Sequence, residues 1–249
     1  MRLKIIGSNS AGNAYILESH NGTEALMIEC GVRFDRIKKA LDFNFTKVVG
    51  CLVSHEHQDH CKSVAHVLAA GIKVYASFGT HKAMQTDGSH AAVNLVPGMQ
   101  TSIGRFKVLP FDSKHDCAEP IGFLINHPEC GTVLFLTDSV YSPYYFKGLN
   151  NVIVEANYCQ QILDARMIRK DSPAFLRDRV LTSHLSIENC KSLLRANDLT
   201  AVNNIVLIHL SDSNSNAARF KQEVEHVTGK TVHVADAGMT IEDFNVTPF

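Results

Sequence analysis

Four side chains with metal-binding chemistry stand within six consecutive positions of the sequence. These residues are His55, His57, Asp59 and His60. Neutral imidazole and carboxylate are the ligand types that Zn²⁺, Mn²⁺ and iron prefer in proteins. An apolar run at 48–53 precedes them and predicts a buried strand, so the four residues are expected in a loop that points them inward together. The pattern H-x-H-x-D-H therefore predicts a metal site. It does not match the helical zinc-protease motif H-E-x-x-H, because Asp59 takes the place of its second histidine.

Three further potential ligands occur later in the chain, each at the end of a predicted strand. They are His115, Asp138 and His209. Taken singly, a histidine or an aspartate after a strand is as well explained by an ordinary surface loop. The first cluster could surround one metal ion but would be crowded around two. The three distant residues are therefore candidates to complete a second metal site.

The composition indicates an ordinary folded enzyme. The chain has 249 residues, of which 45% are hydrophobic and 20% charged, enough to bury a sizeable core and too apolar for a disordered chain. Lys and Arg number 24 against 25 Asp and Glu, which gives a net charge of −1. A globally basic protein that coats nucleic acid is excluded by this balance, although a local basic patch is not.

Cysteine usage and the N-terminus bear on the cellular compartment. The seven cysteines are an odd number without a C-x-x-C pair, which argues against a disulfide framework or a zinc ribbon and favours reduced thiols. The first residues lack the apolar core of a signal peptide. No apolar run approaches the roughly 18 residues that span a bilayer. We therefore expect a cytoplasmic protein without membrane association.

The elements that must position these residues are short strands joined by Gly, Asn and Ser turns, with helices mainly in the second half. Strands are predicted at 3–6, 14–18, 25–29, 48–53, 73–76, 106–110, 121–125, 133–136, 152–155, 204–208 and 231–234. Helices are predicted at 32–41, 61–70, 156–170, 187–197 and 215–227. The chain contains no low-complexity linker and no internal repeat, so residues 1–249 are expected to form one domain. Two successive strand-rich halves favour a layered α/β sandwich over alternating βαβ units.

The ordered set H-x-H-x-D-H, His, Asp, His resembles that of the metallo-β-lactamase-fold hydrolases, over nearly the whole chain. The resemblance is closest to their YycJ-type (WalJ) subgroup of DNA exonucleases, and ribonuclease Z is a more distant match. The subgroup features are Gly7-Ser8, Gly12-Asn13, Glu155-Ala156-Asn157, Thr182-Ser183-His184-Leu185-Ser186 and His209-Leu210-Ser211. The resemblance implies a four-layer αββα fold, two mixed β-sheets flanked by helices, with the metal centre at one edge of the sandwich.

The resemblance also implies a role for each candidate ligand. The first metal ion would be held by His55, His57 and His115, the second by Asp59, His60 and His209, and Asp138 would bridge the pair. Two divalent ions, Zn²⁺ or Mn²⁺, with a hydroxide between them as the nucleophile, then keep one net positive charge. Such a centre favours an anionic substrate, and a phosphodiester is the natural candidate.

Two residues beside this set need separate interpretation. His184 is similar in position to a histidine of ribonuclease Z and is expected to protonate the leaving oxygen, although a histidine bonded to backbone is the alternative. We expect His184 and the ligand Asp59 to be the catalytic residues. Glu29 stands where family members usually carry an aspartate that orients the ligands, and its extra methylene predicts altered metal affinity or ligand geometry.

These observations predict a dinuclear-metal phosphodiesterase, with an exonuclease acting on DNA as the leading hypothesis. A basic segment favours it as a phosphate-contacting rim, although a solvated helix face explains the same residues: Arg166, Arg169, Lys170, Arg177 and Arg179. Three tyrosines cluster in the sequence, and stacking on nucleic-acid bases and packing in the core explain them equally well: Tyr141, Tyr144 and Tyr145. The alternative function is hydrolysis of a small anionic substrate, a cyclic phosphodiester, thioester or lactam, at the same centre.

Two other classes are disfavoured. Di-iron redox proteins of this fold usually carry a carboxylate where His57 stands, together with a flavin domain. A metal-free binding module would have lost ligands, whereas all seven are intact. No insertion between Asp138 and His209 is large enough for a nucleic-acid clamp domain. The sequence therefore predicts a shallow open site, or a groove that a homodimer partner completes.

Overall fold

The computed structural model describes residues 1–169 and 174–247. The strands are β1 (Arg2–Asn9), β2 (Gly12–Glu18), β3 (Ala25–Ile28), β4 (Val48–Leu52), β5 (Val74–Ala76), β6 (Ala92–Asn94), β7 (Thr101–Ile103), β8 (Phe106–Asp112), β9 (Ile121–His127), β10 (Gly131–Leu136), β11 (Leu149–Glu155), β12 (Asn204–Ile208), β13 (Thr231–Val234) and β14 (Thr240–Ile241). The helices are α1 (Phe34–Ala40), α2 (Gln58–Cys61), α3 (Val64–Ala69), α4 (Phe78–Ala83), α5 (Gln160–Ile168), α6 (Ala174–Ser183), α7 (Ile187–Ala196) and α8 (Ala217–Thr228). In this part of the chain, no helix has the length and apolar content needed to cross a bilayer.

The strands form two seven-stranded sheets, and each sheet mixes parallel and antiparallel pairs. The first sheet has the order β14-β1-β2-β3-β4-β5-β6, with β3 to β6 parallel. The second has the order β13-β12-β11-β10-β9-β8-β7, with β10 to β13 parallel. Helices cover the outer faces of both sheets, which confirms the predicted αββα architecture of two mixed sheets flanked by helices.

The alternation of side chains along the strands explains the layers. In β11, Ile153 points into the core between the sheets, whereas Val152 and Val154 point outward and join the cluster formed by α7 and α8. Successive side chains on a strand face opposite sides, so a strand covered on both faces must be apolar throughout. The outer face of the first sheet is apolar in the same way, since Met27 and Cys51 pack beneath α1 and α3.

The predicted helices at 61–70 and 156–170 differ from those observed. The first is divided into α2 and α3, because Ser63 leaves helical geometry and donates hydrogen bonds to the carbonyls of Cys30 (2.9 Å) and Val32 (2.5 Å). The second starts only at Gln160, because the carbonyls of Asn157 and Tyr158 accept from the backbone nitrogens of Ser211 (2.9 Å) and Ile187 (2.8 Å), outside the helix. The short elements α4, β6, β7 and β14 and the helix α6 carried no strong sequence signal.

Close backbone packing at three glycines holds residues 55–60, the predicted metal-binding segment, against the ends of β1, β2 and β3. A Cβ atom on Gly31 would lie 1.7 Å from the carbonyl oxygen of Asp59 and 2.5 Å from the nitrogen of His60. A Cβ atom on Gly12 would lie 2.4 Å from the Gly31 carbonyl, and one on Gly7 would lie 2.4 Å from the Gly12 carbonyl. The turn that carries Asp59 and His60 therefore fits only against a chain without side chains at these positions.

The substitution Gly31→Ala is expected to destabilise the fold by about 3 kcal/mol or more, because its methyl group collides with rigid backbone and not with a movable side chain. The free energy of unfolding in urea measures this. Gly88→Ala is the matched control, since no atom lies within 4 Å of a Cβ at Gly88. Equal stability of the two variants would show that the segment tolerates displacement.

Candidate metal centre

The candidate ligands meet because the strands that carry them end at the same edges of the two sheets. In the first sheet, β4 runs directly into the segment that begins at His55. In the second sheet, β10, β11 and β12 are parallel, so the loops that carry Asp138 and His209 leave the same edge. The strand β8 is antiparallel to β9, and β9 is antiparallel to β10, so β8 also ends there and delivers His115. The carboxyl ends of parallel strands are the usual site of ligands in such sheets.

The local conformation of the metal-binding segment differs from the expected loop. His57 is extended, but Asp59 and His60 lie in the single turn of α2. The carbonyl of His57 accepts hydrogen bonds from the backbone nitrogens of His60 (2.8 Å) and Cys61 (3.0 Å), and these bonds form the turn. The prediction of a loop was therefore wrong for Asp59 and His60, although the four side chains do converge.

The first ligand group has its candidate ligand atoms within 4.8 Å of one another. Its members are His55, His57, His115 and Asp138. Nδ1 of His57 lies 3.0 Å from Nε2 of His115. Nε2 of His55 lies 3.3 Å from Oδ2 of Asp138. Three imidazoles and one carboxylate thus face a common point, which is the donor set of a divalent metal ion.

In the second ligand group the candidate ligand atoms also lie within 4.8 Å of one another, and the group shares Asp138 with the first. Its members are Asp59, His60, Asp138 and His209. Oδ2 of Asp138 lies 2.9 Å from Nε2 of His60. Oδ2 of Asp59 lies 3.4 Å from Nε2 of both His60 and His209. The structure therefore brings together all seven residues that the sequence singled out, in the two groups that the resemblance implied.

The chemistry of these groups fits a pair of metal ions. Nε2 of His55 and Nε2 of His209 are buried and have no hydrogen-bond partner among the described residues. A buried polar atom without a partner is costly, and a bound ion is one of the few explanations for it. Both atoms face carboxylate oxygens of the candidate ligands, so ions placed there would satisfy them.

Neighbouring polar groups fix which nitrogen of each imidazole faces the site. Ser54 Oγ lies 2.9 Å from Nδ1 of His55, and the backbone carbonyl of Ser183 accepts from Nδ1 of His115 at 2.8 Å. Such bonds leave Nε2 of each ring for the metal. On the other side, Nδ2 of Asn13 donates to the Asp59 carbonyl at 3.3 Å. Asn13 belongs to a subgroup motif, but sequence reasoning assigned no role to it.

Three residues of the site have strained backbone. Glu29, Asp138 and His209 have φ values of 62°, 44° and 52°, in the left-handed region that side chains rarely adopt. Their surroundings hold them there: the backbone nitrogen of His209 donates to Ser8 Oγ at 3.0 Å, and its carbonyl accepts from Nδ2 of Asn157 at 2.8 Å. Strained backbone of this kind persists where function requires a particular side-chain direction.

The charges within the site compensate one another. Burial alone would lower the pKa of His60 and of His209, but the carboxylate of Asp138 outweighs it and holds both pKa values well above the ordinary one. Burial would likewise raise the pKa of Asp138, yet the charges of His209 and His60 hold it well below its usual range. Binding of metal cations must therefore release protons from these histidines.

Glu29 lies directly beneath His60. Its side chain is fully buried, and both carboxylate oxygens accept from the backbone nitrogen of Ser54, at 3.3 and 3.4 Å. Oε1 lies 3.6 Å from Nδ1 of His60, beyond hydrogen-bonding distance. The longer side chain is thus accommodated beneath the ligand. Its effect on metal affinity stays a prediction.

Sequence reasoning missed the role of Glu155, which forms a third cluster with Asp138, His184 and His209. Glu155 is fully buried at the end of β11. Its Oε1 accepts from Nδ1 of His184 at 2.8 Å, and its Oε2 accepts from the backbone nitrogen of Leu185 at 2.9 Å. The available signal was a carboxylate directly after the apolar run 152–154. His184 is therefore bonded to a buried acid and not to backbone, in contrast to the alternative considered from sequence.

The site opens into a cavity of about 400 Å³. Candidate ligands and His184 line one part of it, and three of the predicted basic residues line another: Arg166, Arg177 and Arg179. Nη1 of Arg166 donates to Ser213 Oγ and Asn214 Oδ1, both at 2.6 Å. Of the same basic segment, Lys170 lies outside the described residues. The cavity thus combines a candidate metal centre with guanidinium groups, an arrangement suited to an anion.

Comparison with known proteins places these features in a family context. A family model described as a beta-lactamase superfamily domain matches residues 15–210, a range that includes all seven candidate ligands. The protein Exodeoxyribonuclease YycJ of Bacillus anthracis is 27% identical in an alignment 247 positions long, which covers 91% of this chain and 89% of that protein.

Solved structures with a similar fold include two proteins that match nearly end to end. The metallo-beta-lactamase fold protein YhfI of Bacillus subtilis aligns with a TM-score of 0.72 at 16% identity, over 96% of this chain and 98% of that one. The short form of human tRNase Z aligns with a TM-score of 0.65 at 16% identity, over 97% and 98%. At these identities the likeness concerns the fold.

Proposed function

The chain belongs to the beta-lactamase superfamily and is a metal-dependent hydrolase of the metallo-β-lactamase fold, and on this premise we propose that it is a two-metal exonuclease acting on DNA. One observation carries the proposal: two ligand groups that share Asp138 open into the same cavity as three arginines. A DNA strand presents one phosphodiester to the metals and its neighbouring phosphates to the arginines. The donor set accepts either Zn²⁺ or Mn²⁺.

Different residues of the chain have different roles in the proposed hydrolysis. Two divalent ions, when bound, supply Lewis-acid activation of water and of the phosphoryl oxygens. Asp138 holds the two ligand groups together. Asp59 would hold the second ion and not move a proton, because the adjacent rings of His209 and His60 outweigh the effect of burial and keep its pKa far below the usual range. Arg166 is held by neutral partners, so its charge is available to the substrate.

His184 is suited to protonate the leaving oxygen. Burial alone would lower its pKa, but the carboxylates of Glu155 and Asp138 raise the pKa to about 9, which favours the protonated ring that a general acid needs. Nδ1–H is donated to Glu155, which leaves Nε2–H without a partner among the described residues. The ring lines the cavity, and an alkoxide leaving group needs a proton.

The DNA substrate is supported by the relative named as an exodeoxyribonuclease and by the arginines of the cavity. The alternative is a small anionic substrate, since a cavity of about 400 Å³ also lies in the size range of small-molecule sites. A cyclic phosphodiester, a thioester or a lactam would occupy the same centre. The two functions differ in whether a polymer is shortened.

A time course with Mn²⁺-loaded protein on 5′-labelled and 3′-labelled DNA tests the proposal. Wild type is expected to shorten the DNA progressively, and the two labels give its polarity. Asp138→Ala is expected to lose about 10³-fold or more of the rate, because both ligand groups lose a member. His90→Ala, an exposed histidine outside the cavity lining, is the matched control. Intact DNA with metal bound and bis(4-nitrophenyl) phosphate hydrolysed would favour the small-substrate alternative.

His184→Ala is expected to lower kcat on DNA by about 10² to 10⁴-fold while the metal content stays at the wild-type level. The loss should be much smaller on bis(4-nitrophenyl) phosphate, because nitrophenolate departs without a proton. Turnover on both substrates and metal content by mass spectrometry are the measurements. Loss of metal, or an equal loss of rate on both substrates, would contradict the role of His184 as an acid.

A further inference from the structure

The segment Tyr141–Tyr145 exposes aromatic rings beside the candidate metal centre. It starts three residues after Asp138 and contains three of the six tyrosines of the chain. Tyr141 is 49% exposed, Tyr144 38% and Tyr145 76%. The sequence left open whether these rings pack in the core or are available to stack on bases. Their exposure shows that they do not pack in the core. Aromatic side chains displayed on a surface usually serve binding.

The backbone of this segment is fixed relative to the ligands. Ser139 Oγ accepts from the backbone nitrogen of Lys114, which precedes His115, at 3.1 Å and donates to the Tyr141 carbonyl at 2.9 Å. The backbone nitrogen of Val140 donates to the Lys114 carbonyl at 3.0 Å. The tyrosines are therefore tethered to two loops of the metal centre and present their rings at a defined position beside it.

The three rings have different environments. Tyr144 packs edge-to-face against Phe111, with ring centroids 5.6 Å apart, and its hydroxyl lies 3.5 Å from Asp112. Within the described part of the chain, neither Tyr141 nor Tyr145 has an aromatic ring contact or a hydroxyl hydrogen bond. Tyr144 thus packs the segment against β8, while the rings of Tyr141 and Tyr145 have no such contact among the described residues.

A cavity of about 250 Å³ lies between the segment and one face of α7. The helix contributes Asn189, Ser192, Leu193 and Ala196, which are spaced as one face of a helix. Seven residues of helix rise about 10 Å, which accommodates one or two stacked bases. The walls combine aromatic rings, an apolar floor and polar edges, which suits a flat heteroaromatic ring system.

Two exposed cations belong to the chain segments that adjoin the three tyrosines. Lys114 adjoins His115, and Lys147 follows Tyr145 by two residues; both are exposed, and neither forms an ion pair with a carboxylate among the described residues. Exposed cations and exposed aromatic rings are the two components of a surface for single-stranded nucleic acid, since the cations bind phosphates and the rings stack on bases.

We infer that Tyr141, Tyr145 and the adjoining face of α7 form a stacking subsite for a nucleobase of the substrate strand, next to the candidate metal centre. The inference rests on the proposed function and deepens it. Along the anchored loop, Tyr141 lies nearer to Asp138 than Tyr145 does. The cavity beside α7 and the cavity at the metal centre have no lining residue in common, so a small substrate held by the metals would not reach this subsite.

The test is a binding measurement on the full chain with a short single-stranded DNA whose phosphorothioate linkages resist hydrolysis. A second DNA has the same backbone with abasic positions. The double variant Tyr141→Ala/Tyr145→Ala is expected to weaken binding of the base-containing DNA by about 5- to 150-fold, and binding of the abasic DNA by much less. Tyr141→Phe/Tyr145→Phe, which keeps both rings, should bind like wild type. Phe43→Ala, a 66% exposed aromatic elsewhere, is the control.

Equal binding by wild type and the double alanine variant would overturn the subsite while leaving the proposed function intact. Equal weakening for both DNAs would also overturn it, because the effect would not involve bases. Loss of a dimer in the double variant, seen by light scattering, would assign the surface to self-association instead. If wild type binds neither DNA and hydrolyses none, but still cleaves bis(4-nitrophenyl) phosphate, the proposed function itself fails and the subsite with it.

Discussion

The carboxylate of Asp138 joins the two halves of the molecule. Oδ2 lies 2.9 Å from Nε2 of His60, which the first sheet carries, and Oδ1 lies 2.5 Å from Nδ1 of His209, which follows a strand of the second. Asp138 is only 2% exposed, and a buried charge is stable only with partners of opposite charge or a metal. The two sheets must therefore meet with their carboxyl edges aligned, because that arrangement alone supplies these partners.

The surrounding structure is arranged around this shared carboxylate. The left-handed backbone at Asp138 and His209 directs both side chains inward, and polar groups from the ends of β1 and β11 fix the directions. Farther out, Arg177 and Arg179 are paired with acids at 3.3 and 3.8 Å, whereas Arg166 bonds to neutral oxygens. Arg166 therefore gives the cavity a positive charge that no described carboxylate compensates within ion-pair distance, which extends the attraction for an anion beyond the metal centre.

The sequence predicted the seven candidate ligands, the strands that carry them and the layered fold, because ligand type, apolar runs and spacing are local signals. It did not reveal the function of Glu155, whose partner His184 lies 29 residues away, because the bond depends on how β11 and the loop before α7 meet in space. It also missed the orienting contacts of Ser8 and Asn13, although both lie in recognised motifs. The helical turn at Asp59 was missed because a four-residue helix leaves no periodicity.

The central claim is that one shared carboxylate organises two metal sites. Titration of metal-stripped protein with Mn²⁺, with the bound ions counted by mass spectrometry, tests it most directly. The account predicts two ions per chain in wild type, one in His57→Ala, and weakened binding at both sites in Asp138→Ala. A single ion in wild type, or a second ion unaffected by Asp138→Ala, would contradict it.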